Sequence, residues 1–376
     1  APVLVWTGAM PRDFAFRALN AVGDAVGVVV GFAKQGADSV FGGLRQTGGF
    51  VFAIEVGAIV LVFSALMSVL YYVGFLPWLV GILSRVLHRT LGVSGAESLA
   101  GAANIFIGQT EAPLVVRPYL AGMTRSEMMA LMTTGFATIA GSVMGAYIGI
   151  LREAGIERGA ADLLAASVMS APAAFVFAKL LVPETGTPES LRGAVLARDR
   201  VGANLLDALA GGVTAGLKLA ANIVAMLLVF YALVAMLNAA VDAAARGLFG
   251  GGNVTFQTLY AYAFSPFALL MGVPAGECVA VGQLLGTKTI FNEFVGYVEL
   301  KEMVLAGRIG TRSAVLATYA LCGFANFMSI GIQIGGLSSL APERRPLFVE
   351  LALRAMVGAA LACQLTACVV GVIGDV

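Results

Sequence analysis

Five stretches of this chain run for about a bilayer's width without one charged side chain. They are Val56–Phe75, Met128–Leu151, Leu219–Val241, Ser313–Pro342 and Ala355–Gly374. About 20 apolar residues carry a helix across a hydrocarbon core. Leu163–Pro183 is a sixth run, broken only by Lys179, whose stem can carry its ammonium to the headgroups. Between these runs lie two segments of similar length, 94–120 and 274–300, with polar residues at their centres. Asn104, Gln109, Thr110 and Glu111 sit in the first; Lys288, Asn292 and Glu293 sit in the second. Neither segment suits a lipid-facing crossing, because ionisable groups at membrane depth are expensive and mark substrate or ion pathways. A re-entrant hairpin accommodates them, since non-helical backbone is tolerated at depth where protein buries it or it lines a cavity. Gly108, Pro113 and Gly286 suit a break at each tip.

The two polar segments belong to an internal repeat. Leu61–Leu66 matches Leu228–Leu233, and Gly92-Val93 with Glu97 matches Gly272-Val273 with Glu277. Glu111 matches Glu293, and Gly135–Thr138 matches Gly323–Asn326. The offset between partners grows steadily along the chain, as small insertions in the second half require. Each repeat reads as a spanning helix, an interfacial helix, a hairpin and two further spanning helices. Three crossings per repeat turn the second upside down relative to the first, the arrangement of many secondary transporters. Gly135, Gly141 and Gly145 punctuate one post-hairpin helix, and Gly323, Gly331, Gly335 and Gly336 the other, so both are expected to be interrupted. The expected fold class is an all-α polytopic membrane protein with inverted repeats, two re-entrant hairpins and interrupted helices. Residues 1–49 read as an N-terminal remnant and an interfacial amphipathic segment, 50–184 as the first repeat, 185–205 as a cytoplasmic loop and 206–376 as the second repeat. Ala1–Trp6 is apolar but too short to span, and reads as the tail of a helix.

Composition narrows the class. The chain is 59% hydrophobic and 12% charged, which leaves little surface for a water-soluble domain. Its 47 glycines suit closely packed membrane helices. With a net charge of +1 and no basic block, no nucleic-acid partner is expected. Cys278, Cys322, Cys363 and Cys368 lie in apolar sequence without metal-ligand spacing and read as small hydrophobes. The single histidine, His88, sits between Arg85 and Arg89 and reads as a solvated interfacial residue. No phosphate-binding loop supports transport driven by ATP. A channel needs a continuous polar pore, and an intramembrane enzyme needs an activated nucleophile or a metal; neither pattern is present. The arginines of Pro183–Arg200, Arg85–Arg89 and Arg344–Arg345 mark one side as cytoplasmic. Arg152, Arg158, Lys301, Arg308 and Arg312 on the other side keep the bias small.

Gly108-Gln109-Thr110-Glu111-Ala112-Pro113-Leu114, Asn292-Glu293-Phe294-Val295 and Cys322-Gly323-Phe324-Ala325-Asn326 resemble motifs of the concentrative nucleoside transporters. The likeness runs from about residue 12 to the C-terminus. It implies a sodium-coupled bacterial member in the inner membrane: a homotrimer, contacting membrane lipids, that carries uridine-like nucleosides by an elevator movement. It also implies site residues. Gln109, Thr110 and Glu111 resemble base-reading residues, and an amide, a hydroxyl and a carboxylate can meet mixed donor and acceptor edges. Glu293 resembles the acid that accepts the ribose hydroxyls, with Asn326 and Ser329 as further ribose contacts. Val143 and Phe324 resemble the apolar walls. The family's sodium ligands map onto Asn104, Ile107, Thr138 and Ile139, an oxygen set suited to a hard cation. Thr138 stands where a serine often appears but keeps the hydroxyl. No organic cofactor is implied. The alternative is a transporter of another small polar solute, such as a nucleobase.

Overall fold

Helices fill the chain in two runs of the same order. The computed structural model describes residues 12–48, 52–191, 194, 202–249 and 255–373. Ala1–Trp6 lies outside the described residues, as do Arg192, Arg198 and Arg200 of the loop used in the orientation argument.

Helix α1 (Arg12–Gly48) precedes the first run. It lays Val30 and Ala33 against Ile59 and Phe63 of α2 (Phe52–Tyr72). Gly74, at φ 86°, then turns the chain by 75° into α3 (Phe75–Leu91). The first hairpin is α4 (Gly95–Ile107) with the short return helix α5 (Ala112–Val115). After it come α6 (Arg125–Ala137), α7 (Gly141–Glu153) and α8 (Gly159–Leu181). The second run repeats this sequence. It comprises the long α9 (Leu205–Phe249), α10 (Phe256–Leu270) and a hairpin of α11 (Cys278–Ile290) and α12 (Glu293–Leu305). It ends with α13 (Thr311–Leu321), α14 (Phe327–Leu340) and α15 (Arg345–Ile373).

Three apolar runs are therefore not single straight helices. Val56–Phe75 ends at Gly74, while Met128–Leu151 and Ser313–Pro342 are each two helices. Of the glycines that suggested interruption, only Gly141 and Gly323 border a break. Gly135, Gly145, Gly331, Gly335 and Gly336 lie inside helices. A lone glycine weakens a helix by about 1 kcal/mol, too little by itself to end one.

Small residues bring the first helices of the two repeats into backbone contact. A Cβ on Gly212 of α9 would lie 2.7 Å from Ala65 Cα, and one on Gly216 would lie 3.0 Å from Leu61 Cα. The second hairpin is seated likewise: a Cβ on Gly282 of α11 would lie 2.4 Å from Ala261 O of α10.

The outer end of the first hairpin corrects one sequence expectation. Lys179 does not reach for headgroups. Its ammonium pairs with Glu97 and donates to Ser126 Oγ at 2.9 Å. Glu97 is only 2% exposed, and a buried carboxylate without a cation is far costlier than a lysine withheld from the interface. In the second repeat Glu277 has the equivalent place and accepts from Gly310 N at 3.0 Å.

Candidate functional site

Four irregular segments touch one another: two hairpin tips and two helix breaks. Gly108, at φ 81°, turns the first tip, and a Cβ there would lie 2.9 Å from Ala140 Cβ in the break between α6 and α7. Gly323, at φ 141°, opens the break between α13 and α14, and a Cβ there would lie 2.8 Å from Ala137 O. Both positions need a residue without a side chain. The last carbonyls of α6 and α13 have no intrahelical donor. Cys363 on α15 supplies a thiol to both places, with its Sγ 2.9 Å from Cys322 O and 3.6 Å from Ala137 O.

The helices that leave the second tip and the second break start on asparagine caps. Asn292 Oδ1 accepts from Val295 N at 2.9 Å, and Asn326 Oδ1 accepts from Ser329 N at 2.8 Å. Asn326 is thus the cap of α14 rather than a member of its face. Its Nδ2 donates to Glu293 Oε2 at 2.9 Å, and Tyr147 of α7 donates to Glu293 Oε1 at 2.7 Å. Glu293 is 5% exposed, so these two donors hold its carboxylate in one plane. A carboxylate has about four acceptor sites, so capacity remains beyond these two bonds.

Tyr147 is a site residue that sequence reasoning missed. A tyrosine inside an apolar run reads as packing, and its ring does stack on Tyr297 with centroids 4.5 Å apart. The available signal was its hydroxyl, since a buried Tyr O–H usually finds a partner. Lys288, left open by the sequence, is buried and donates to Ala320 O at 2.8 Å. Its charge therefore faces the C-terminal turn of α13, where a cation is favoured. Gln283 and Thr287 both donate to Glu299 Oε2, which ties the arms of the second hairpin together.

The first tip carries the other expected contacts. Gln109 is buried and its Oε1 has no hydrogen-bond partner. Thr110 is half-buried, and its methyl faces Gly336 of α14. Glu111 is exposed and takes part in no ion pair with Arg117 among the described residues. Val143 is buried near the start of α7, and Phe324 is half-buried within the second break. Ser329 is 2% exposed.

The oxygen set mapped to sodium gathers around the first break. Asn104 is fully buried in α4, and its Nδ2 donates to Thr134 Oγ1 at 3.1 Å while its Oδ1 has no partner. Thr138, one turn beyond Thr134, donates to Thr134 O at 2.9 Å. Ile107 is the last residue of α4, and Ile139 lies in the break itself. Thr134 was not anticipated; its four-residue spacing from Thr138 was the signal. An unpaired buried carbonyl oxygen beside a hydroxyl and helix-end carbonyls is a donor set for a hard monovalent cation.

A family model described as "Na+ dependent nucleoside transporter C-terminus" matches residues 162–371, and one described as "Nucleoside recognition" matches residues 53–154. A protein of Haemophilus influenzae named "Uncharacterized transporter" is 42% identical over 94% of this chain and 85% of its own length. The chain belongs to the Na+ dependent nucleoside transporter family. Rat "Sodium/nucleoside cotransporter 1" is 43% identical over 95% of this chain and 56% of its own length. The chain thus spans about half the length of that mammalian relative. Among solved structures, CNTnw in an inward-facing substrate-bound state is 38% identical, with a TM-score of 0.86 over 97% of this chain and 86% of that one. An intermediate state of a CNTnw variant gives 0.89 over 99% and 90%. Family membership makes the chain an integral membrane transporter rather than an enzyme, with inverted repeats and two re-entrant hairpins.

Proposed function

We propose that this protein imports nucleosides by sodium symport, as a homotrimer in a bacterial inner membrane. The observation that carries this reading is Glu293, whose two oxygens are oriented by Tyr147 and Asn326. Two adjacent ribose hydroxyls match that pair, and hydrogen bonds to an ionised acceptor are the strong kind. Gln109, Thr110 and Glu111 at the first tip offer mixed donors and acceptors to the base, with Val143 and Phe324 as its apolar walls. Asn104, Thr138 and the carbonyls of Ile107 and Ile139 hold the coupling ion. The decisive test is uptake of radiolabelled uridine by proteoliposomes under an imposed sodium gradient, with unlabelled uracil and uridine as competitors. Sodium-dependent uptake blocked by uridine and not by uracil is the expected result; uptake blocked equally by both points to a nucleobase carrier.

The packing of α2 against α7 supports an elevator movement. Ile59, Phe63 and Met67 form a row at four-residue spacing on α2, and Gly149, Gly145 and Gly141 form the facing row on α7. A Cβ on Gly145 would lie 2.5 Å from Phe63 Cδ2, so the ring fills the notch that the glycine leaves. A slip by one repeat of this spacing, four residues or about 6 Å, brings inner knobs to neighbouring notches. The hairpins and broken helices then travel as one body past α2 and α9. Gly145→Val is expected to leave uridine binding within about threefold and to slow uptake by more than tenfold. Disulfides formed across the α2–α7 boundary are expected to trap transport, whereas wild-type uptake rates after crosslinking at every depth exclude the elevator.

A further inference from the structure

Gln333 is a second primary amide beside the substrate residues, on an element the resemblance did not assign to the base. It lies on α14 one turn beyond Ser329 and is 1% exposed. Its Nε2 donates to Met132 O of α6 at 3.1 Å. A backbone carbonyl only accepts, so this bond decides which end of the amide faces α6. The Oε1 of Gln333 must point away from α6, and it has no partner.

Gln109, at the first tip, is 6% exposed, and its Oε1 also has no partner. The two side chains meet over the bare face of Gly135. A Cβ there would lie 2.5 Å from Gln333 Nε2 and 3.2 Å from Gln109 Cβ. Two unpaired acceptors in one buried place are unfavourable, because each has lost its water without gaining a donor. One motion relieves both. A half-turn of the Gln109 amide exchanges its NH2 and its carbonyl, which are nearly equal in shape. An NH2 turned toward Gln333 Oε1 would leave the Gln109 carbonyl on the side of the base.

We propose that Gln333 is a positioning residue that sets base selectivity, its carbonyl holding Gln109 with the acceptor end toward the nucleoside. The chain of bonds runs from Met132 O through Gln333 to Gln109, each amide donating back toward α6. This proposal rests on the nucleoside reading above. It adds a polarity: Gln109 should accept from an N–H at ring position N3, not from an exocyclic amine. Uridine and cytidine make the comparison, since they share ribose, ring size and stacking surface. At ring position N3 uracil carries a hydrogen and cytosine a lone pair.

The experiment measures KM for uridine and for cytidine in proteoliposomes at saturating sodium. The wild type is expected to favour uridine. Gln333→Met, similar in volume, frees Gln109 to present either end. It is expected to shift the cytidine-to-uridine KM ratio by at least about fivefold toward parity, the discrimination of one ordinary hydrogen bond. The KM for sodium should not move. A merely structural Gln333 would weaken both nucleosides alike, and that result overturns the proposal, as does an unchanged ratio. If Gln333→Met does not insert, Gln333→Asn, too short to reach both partners, is the substitute with the same expected shift. A double-mutant cycle supplies the second readout: in a Gln109→Met background, Gln333→Met should change the ratio no further. A further change of the same size there overturns action through Gln109. Absence of uptake of either nucleoside by the wild-type protein overturns the nucleoside reading instead.

Discussion

Replacing Glu293 by alanine is expected to abolish concentrative uptake of uridine. The variant loses the acceptor for two ribose hydroxyls. It also strands the Tyr147 hydroxyl and the Asn326 amide, which donate to that carboxylate at 2.7 and 2.9 Å. Hydrogen bonds to charged groups contribute about 1.5–3 kcal/mol each, so two of them correspond to a rise in KM on the order of 100-fold or more. Glu293→Gln keeps the shape and one acceptor, and is expected to weaken binding by roughly 1–3 kcal/mol. Competition is the cleaner measurement, because it separates binding from turnover. In the wild type, uridine should displace labelled uridine far better than uracil does, and Glu293→Gln should narrow that gap. Equal inhibition by uracil and uridine in the wild type would remove the ribose from the argument.

Asn104→Ala combined with Thr138→Val is expected to uncouple transport from sodium. One sodium ion moving down a tenfold gradient releases about 1.4 kcal/mol. A potential of about 100 mV adds roughly 2.3 kcal/mol. Together these sustain an accumulation of several hundredfold, as each 1.4 kcal/mol is a factor of ten. The double variant should equilibrate uridine across the membrane and stop there. Asn104 also donates to Thr134, so a melting measurement in detergent accompanies the assay. A folded variant that still concentrates uridine on a sodium gradient rules out this ion site.

The repeat and its hairpins were legible because membrane-depth backbone and charge are heavily constrained. A segment centred on Gln109-Thr110-Glu111 has few ways to exist among apolar runs, and the same holds for Asn292-Glu293. The breaks were harder to place. Glycines inside α7 and α14 looked like interruptions, yet Gly145 is a notch for Phe63, Gly336 faces Thr110 of the first tip, and Gly331 and Gly335 face open space within an unbroken helix. What ends α6 is Thr138 in extended backbone, and what begins α14 is the Asn326 cap. Tertiary contact decides both, and periodicity does not encode it. Lys179 was misjudged for a similar reason, since its partner Glu97 stands 82 positions away. Tyr147, Thr134 and Gln333 carry ordinary residue types at ordinary helical positions. Only the groups facing them, on other elements, distinguish them from packing.

Gly323 lies on the carbonyl of Ala137, and the Cys363 thiol touches the ends of both broken helices. The first half of the chain therefore does not complete its own interruption. The gap in the first is closed by backbone from the second and by its final helix. A chain ending before the second repeat would lack both the Gly323 backbone and the Cys363 thiol at the end of α6.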